Sequence, residues 1–184
     1  GMDLIASCPN HMNPPLSYID PAAIGQITVY AGITPVSAGG DSIAGSIVAQ
    51  THAPVFVSAG DATDWSGEAG MSYRDNGGVW RAYVDSGFAG ENFSARYSGA
   101  HTDADNYSAG GDFKISTATG NNGRTLPLDE VASSAYETHN HALTLAWRGR
   151  EQLLEARIGY QDTPFQGYPN QRMDMTDNTQ QRIN

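Results

Sequence analysis

Five short runs in this chain place apolar and polar residues on alternate positions, and each run ends in turn residues. Residues 68–74 set Ala69, Met71 and Tyr73 against Glu68, Ser72 and Arg74. Residues 79–88 set Trp80, Ala82, Val84 and Phe88 against Arg81, Tyr83 and Asp85. Residues 92–98 set Phe93, Ala95 and Tyr97 against Asn92, Ser94, Arg96 and Ser98. Residues 142–148 set Leu143, Leu145 and Trp147 against Thr144 and Arg148. Residues 153–160 set Leu154, Ala156, Ile158 and Tyr160 against Glu155, Arg157 and Gly159. Successive side chains of a strand point to opposite faces, so each set occupies one side of a sheet. An apolar stripe that ends in aromatics, opposite a charged stripe, is the composition of a transmembrane β-barrel strand.

Composition is compatible with that reading. The 184 residues carry a formal charge of −10, which argues against a nucleic-acid partner. Hydrophobic residues make up 39%, and no run approaches the roughly 20 apolar residues of a membrane-spanning helix. A barrel hides its apolar residues on every second position and reads as mildly polar overall. Met2-Asp3-Leu4 is not followed by a basic region and an apolar run, so no signal peptide is visible. The sequence is expected to begin inside a longer gene. Cys8 is the single cysteine and makes no internal disulfide, which leaves metal ligation as one use for its thiol.

Residues 1–60 and 61–184 read as two units. In the first, residues 25–30 and 43–49 are expected strands. Asp20-Pro21-Ala22-Ala23 reads as a short helical turn, with Asp20 as cap and Pro21 at the first position. The unit is expected to be a compact α/β piece, with a linker over residues 57–65. In the second unit, short turns are expected at 75–78, 89–91 and 149–151. Two long polar connections, 101–130 and 161–179, fall opposite the last two of these turns. Short turns at the periplasmic end and longer loops outside the cell are the rule for outer-membrane barrels.

Candidate metal ligands gather near the N-terminus and in the second long connection. Cys8 and Met12 are four residues apart. Ser7 suits a cap, Pro9 the first helical position, and Pro14-Pro15 a stop, so both sulfurs share one face of a helical turn. Thiolate with thioether is a soft pair that favours Cu(I); the alternative role for such residues is to fill an apolar core. His11 adds an imidazole inside the same segment. Met173 and Met175 point the same way in an extended backbone, and spacing does not choose between them as ligands. His139 and His141 share a strand face, either as an accessory metal site or as two exposed histidines. Asp103 and Asp105 either attract cations in the first long connection or serve its solubility. Glu68, Arg74, Arg81, Asp85, Arg96, Glu155 and Arg157 are expected on an inward polar face, holding whatever packs there by hydrogen bonds. No Gly-x-Ser-x-Gly nucleophile motif, phosphate loop or dinucleotide fingerprint is present, and a non-enzymatic role is expected.

The stretches Ile24-Gly25-Gln26-Ile27-Thr28-Val29-Tyr30-Ala31-Gly32 and Gly39-Gly40-Asp41-Ser42-Ile43-Ala44-Gly45-Ser46-Ile47 resemble the C-terminal part of the plug of TonB-dependent outer-membrane receptors. The strands from residue 66 resemble the first barrel strands of that family. Cys8-Pro9-Asn10-His11-Met12-Asn13-Pro14-Pro15 and Gly167-Tyr168-Pro169-Asn170-Gln171-Arg172-Met173-Asp174-Met175 narrow the resemblance to its copper-receptor branch, whose plug carries a Cys-x-x-x-Met copper motif.

The resemblance implies a mostly β protein of the bacterial outer membrane. It would be a partial transmembrane antiparallel β-barrel of about six strands (61–184), preceded by the C-terminal part of an α/β plug domain (1–60). It implies copper as the transported ligand, with no organic cofactor, and Cys8, Met12, Met173, Met175 and His11 as candidate ligands. The implied partners are copper, the TonB complex and outer-membrane lipid. The chain departs from the family in lacking the first half of the plug, the TonB-contacting segment and most barrel strands, including a later His-x-Met segment. Six strands do not close a barrel around a plug, since small barrels use about 8 and plugged transporters about 22; an internal fragment is expected. Two rival readings are a receptor of the same kind for another metal chelate or small ligand, and a soluble extracellular β-sandwich. The sandwich would bury Met71, Trp80, Leu143 and Ile158 in its own core.

Overall fold

The computed structural model describes residues 15–38, 44–169 and 173–184. They are arranged as a two-stranded hairpin and a six-stranded sheet. In the hairpin, β1 (Ile24–Ala31) runs antiparallel to β2 (Gly45–Thr51), with Ile27 opposite Ala49 and Tyr30 opposite Ser46. β2 begins at a position only glycine tolerates. Gly45 has φ +126°, and a Cβ there would lie 2.5 Å from the Tyr30 carbonyl oxygen. The expected turn before β1 is present as a 3₁₀ turn, Pro21–Ala23, in which the Asp20 carboxylate accepts the Ala22 N–H at 2.8 Å. The expectation of an α/β piece changes here. Among the described residues the first unit holds strands and 3₁₀ turns and no α-helix, because its runs between Pro and Gly are too short to propagate one.

The larger sheet is an antiparallel meander: β3 (Asp64–Arg74), β4 (Val79–Ala89), β5 (Phe93–Ala104), β6 (Tyr136–Arg148), β7 (Leu153–Tyr168) and β8 (Met173–Ile183), paired in chain order. All five alternating runs became strands of this sheet. The turns after β4 and β6 lie at one end. The Asp75–Gly78 turn, the connection 105–135 and the Tyr168 and Met173 ends of β7 and β8 lie at the other. The expected long loop at 161–179 is instead the β7–β8 hairpin, with Ile158 opposite Ile183 and Gln166 opposite Met175. Its second strand carries polar residues on both faces, so period-two hydrophobicity does not reveal it; cross-strand pairing with β7 makes it a strand. Among the described residues β3 and β8 each pair on one side only, and the sheet is open.

The two faces of the sheet are sorted opposite to those of a water-soluble domain. Ser94, Ser98, Ala100, Thr102 and Ala104 of β5, Asn140 and Ala146 of β6, and Gln161 and Thr163 of β7 are buried. The large apolar side chains are exposed: Met71 is 74% exposed, Trp65 72% and Trp80 51%. Ile158 is exposed as well, so the stripes do not meet across an enclosed interior as a sandwich requires. Aromatics collect at both ends of the outer face. Trp65 lies 4.8 Å from Phe88 by ring centroid, and Phe88 6.2 Å from Phe93. Tyr73 lies 4.8 Å from Trp80 at the opposite end of β3 and β4. The eight steps from Trp65 to Tyr73 span about 27 Å of strand.

Candidate functional site

The polar face of the sheet is a docking surface for the N-terminal residues, and alternation is what places its side chains there. Arg81 of β4 forms a two-pronged ion pair with Asp20, Nη2 to Oδ1 at 2.9 Å and Nη1 to Oδ2 at 3.2 Å. Asn140 of β6 donates to the same carboxylate at 3.3 Å. Asp20 therefore caps its own turn and ties that turn to two strands. Gln161 of β7 donates to the Ser17 carbonyl at 3.0 Å and to Asn140 Oδ1 at 2.7 Å. Arg157 of β7 donates to the Thr51 hydroxyl at the end of β2. Nearer the short turns, Arg148 donates to the carbonyls of Val57 and Glu91, and its guanidinium lies 4.5 Å from the centroid of the Phe56 ring.

Of the charges expected on this face, Arg81 and Arg157 bind the N-terminal residues. Asp85 and Arg96 pair with each other at 2.7 Å, with Ser98 donating to Asp85 at 2.6 Å. Glu68 accepts from Tyr83, and Glu155 from Arg157. Planar guanidinium forks against carboxylates and carbonyls supply orientation as well as attraction.

The soft-ligand candidates are only partly covered by the described residues. Cys8, His11 and Met12 lie outside them. Met173 opens β8 opposite Tyr168, and its side chain also lies outside them. Met175 stands two residues on, opposite Gln166 and half-buried, at the loop end of the sheet.

His139 and His141 share one face of β6, as expected, but each finds its partner on the neighbouring strand β5. His139 stacks on His101 of the neighbouring strand, with centroids 4.4 Å apart and the two Nδ1 atoms at 3.1 Å. His139 Nε2 lies 3.1 Å from Glu137 Oε1. His141 bonds to the Tyr97 hydroxyl at 2.8 Å instead. His101 is missed by spacing because it lies 38 residues from its partner; only the β5–β6 register brings them opposite each other. Asp103 is likewise a strand residue of β5, opposite Glu137, whereas Asp105 opens the long connection.

That connection is folded at its base. Asn76 and Ser108 exchange two hydrogen bonds, and Asn106 Oδ1 accepts the N–H groups of Ser134 and Ala135.

Fold and contacts together define a class: an open antiparallel meander with a polar face that seats an N-terminal segment and an apolar face turned outward. A solved structure of the "Copper transporter OprC" has the same fold, with a TM-score of 0.75 and 22% sequence identity over 98% of this chain. The match covers 25% of that transporter, so the chain spans about a quarter of its length. No family model matches the sequence, and no curated protein matches it.

Proposed function

We propose that this chain is part of a TonB-dependent outer-membrane receptor for copper. In this reading residues 1–60 are the C-terminal part of the plug, and residues 61–184 are the first strands of the barrel. One observation carries it: the sheet buries a polar face against the N-terminal residues and leaves its large apolar side chains exposed. Such a face is stable against hydrocarbon and costly in water, and polar-in with apolar-out is the pattern of a membrane barrel around a filled lumen. The fold shared with a copper transporter supports copper as cargo. The open edges at β3 and β8 fit strands that continue into a larger barrel.

Copper is captured on the outer side of the plug by soft donors, Cys8 and Met12 together with Met175 or Met173, with His11 close by. The covalent geometry allows this set. Ser17 is tied to Gln161, and Met12 is five residues before it, a reach of up to about 17 Å. Met175 sits opposite Gln166, five residues beyond Gln161 along β7, about the same distance. A thiolate and two thioethers select Cu(I) over harder ions. Release into the periplasm follows when the TonB complex, engaged through a segment outside these residues, displaces the plug. The Arg81–Asp20 ion pair and the hydrogen bond from Arg157 to the Thr51 hydroxyl are contacts such a pull must rearrange.

The test is Cu(I) titration of the full chain in detergent against a competing chelator. Cys8→Ser with Met12→Ala is expected to abolish competitive binding, and Met175→Ala to weaken it. Unchanged Cu(I) affinity in the Cys8→Ser, Met12→Ala protein refutes the copper assignment.

A further inference from the structure

We propose a second metal site, for a borderline divalent transition ion, on the outer face of β5 and β6. The register sets two like pairs side by side: His101 opposite His139, and Asp103 opposite Glu137. Asp162 of β7 stands opposite His139 on the other side. Directly opposed like charges destabilise a ladder, so Asp103 opposite Glu137, with Asp162 one strand away, leaves a local excess of negative charge beside the two imidazoles that a cation relieves. One donor atom from each of His101, Glu137 and His139 lies within 4.8 Å of the others. All three are at least partly exposed, within the last four residues of the strand ends where the connection 105–135 leaves.

The hydrogen bonds prepare the ligands. Glu137 is an acceptor, so the His139 proton lies on Nε2 and its Nδ1 carries a lone pair, 3.1 Å from His101 Nδ1. A carboxylate holding the far nitrogen of a ligating imidazole is the arrangement that orients histidines at metal centres. For both Nδ1 atoms to bind, His101 carries its proton on Nε2 and the two rings, now stacked at 25°, turn about their side-chain bonds until the in-plane lone pairs of the two Nδ1 atoms converge. Their separation of 3.1 Å is close to the edge of about 3.4 Å between two imidazole nitrogens in a tetrahedral site with metal–nitrogen bonds near 2.1 Å. Water completes the coordination. Two imidazoles with nearby carboxylates suit Zn(II), Ni(II) or Cu(II) and do not match the soft Cu(I) donors of the plug. Bound there, the ion staples β5 to β6 beneath the long connection. Glu137 is the positioning residue.

The full chain in detergent is titrated with Cu(II) and read by electron paramagnetic resonance, and with Zn(II) against a chromogenic chelator. The expected Cu(II) spectrum carries superhyperfine splitting from two nitrogens. It is expected to be lost in the His101→Ala, His139→Ala protein and kept in His11→Ala, His52→Ala and Cys8→Ser, Met12→Ala proteins. Glu137→Gln is expected to weaken Zn(II) binding about 10-fold, and loss of either imidazole by more than about 100-fold. A two-nitrogen signal that survives the double histidine substitution overturns the proposal. So does its absence from the unsubstituted chain, a result that holds however the variants fold. The soft-site substitutions fail or succeed separately, so the two metal assignments are distinguishable.

Discussion

Removing the Asp20 carboxylate tests whether the N-terminal residues are held on the sheet by the contacts described. The Asp20 side chain is 9% exposed and that of Arg81 27%. In Asp20→Ala the 3₁₀ turn loses its cap, worth about 1 kcal/mol. Arg81 is left with the Thr102 hydroxyl at 3.3 Å as its remaining hydrogen-bond partner on this face. Breaking a fully buried pair costs about 3–5 kcal/mol; the partial exposure of Arg81 reduces this to about 2 kcal/mol. The total is about 3 kcal/mol. Asp20→Asn keeps the capping oxygen and removes the charge, so it is expected to cost about 2 kcal/mol.

The assay is native-state hydrogen exchange of residues 18–31 in the full chain in detergent, which reads local opening directly. A double-mutant cycle with Arg81→Ala isolates the pair and is expected to give a coupling of about 1.5–2 kcal/mol. A coupling below about 0.5 kcal/mol, or Asp20→Asn indistinguishable from the parent, would show that the docking does not rest on this ion pair.

Two further substitutions probe the faces of the sheet and the hairpin. Val84→Arg places a charge midway along the exposed apolar stripe of β4. It is expected to cost about 2–4 kcal/mol of folding in lipid vesicles, measured by urea titration; an unaffected midpoint would mean that this face does not meet hydrocarbon. Gly45→Ala forces a Cβ onto the Tyr30 carbonyl at a positive φ. It is expected to open the β1–β2 hairpin at a cost of about 1–3 kcal/mol, seen as faster amide exchange in residues 46–50. Parent-like exchange there would contradict the register at Tyr30.

The divide between what was legible in the chain and what was not follows the range of the interactions. Period-two alternation is a local property, and it set the faces of Trp80, Tyr97, Leu143 and Ile158 before any partner was known. The cap at Asp20 was legible for the same reason, since a carboxylate followed by Pro21 makes its contact within two residues. Turns at Asp75–Gly78 and after Arg148 followed from residue types that favour tight backbone geometry. The soft-donor segment at Cys8 and Met12 also came from local spacing, and it lies outside the described residues.

Everything that depends on register was hidden, because which residue stands opposite which is decided by the whole ladder. β8 became a strand only by completing the hairpin with β7, as its own residues have no apolar face. Met175 acquired Gln166 as its neighbour in the same step. Asp20 gained Arg81 and Asn140, residues 61 and 120 positions away. His139 found His101 across the strand boundary, not His141 on its own strand. The sequence by itself determined which side of each of the five alternating runs is greasy, because alternation needs no partner. The tertiary structure alone decided which polar groups meet, because cross-strand and docking contacts exist only once distant segments share one sheet.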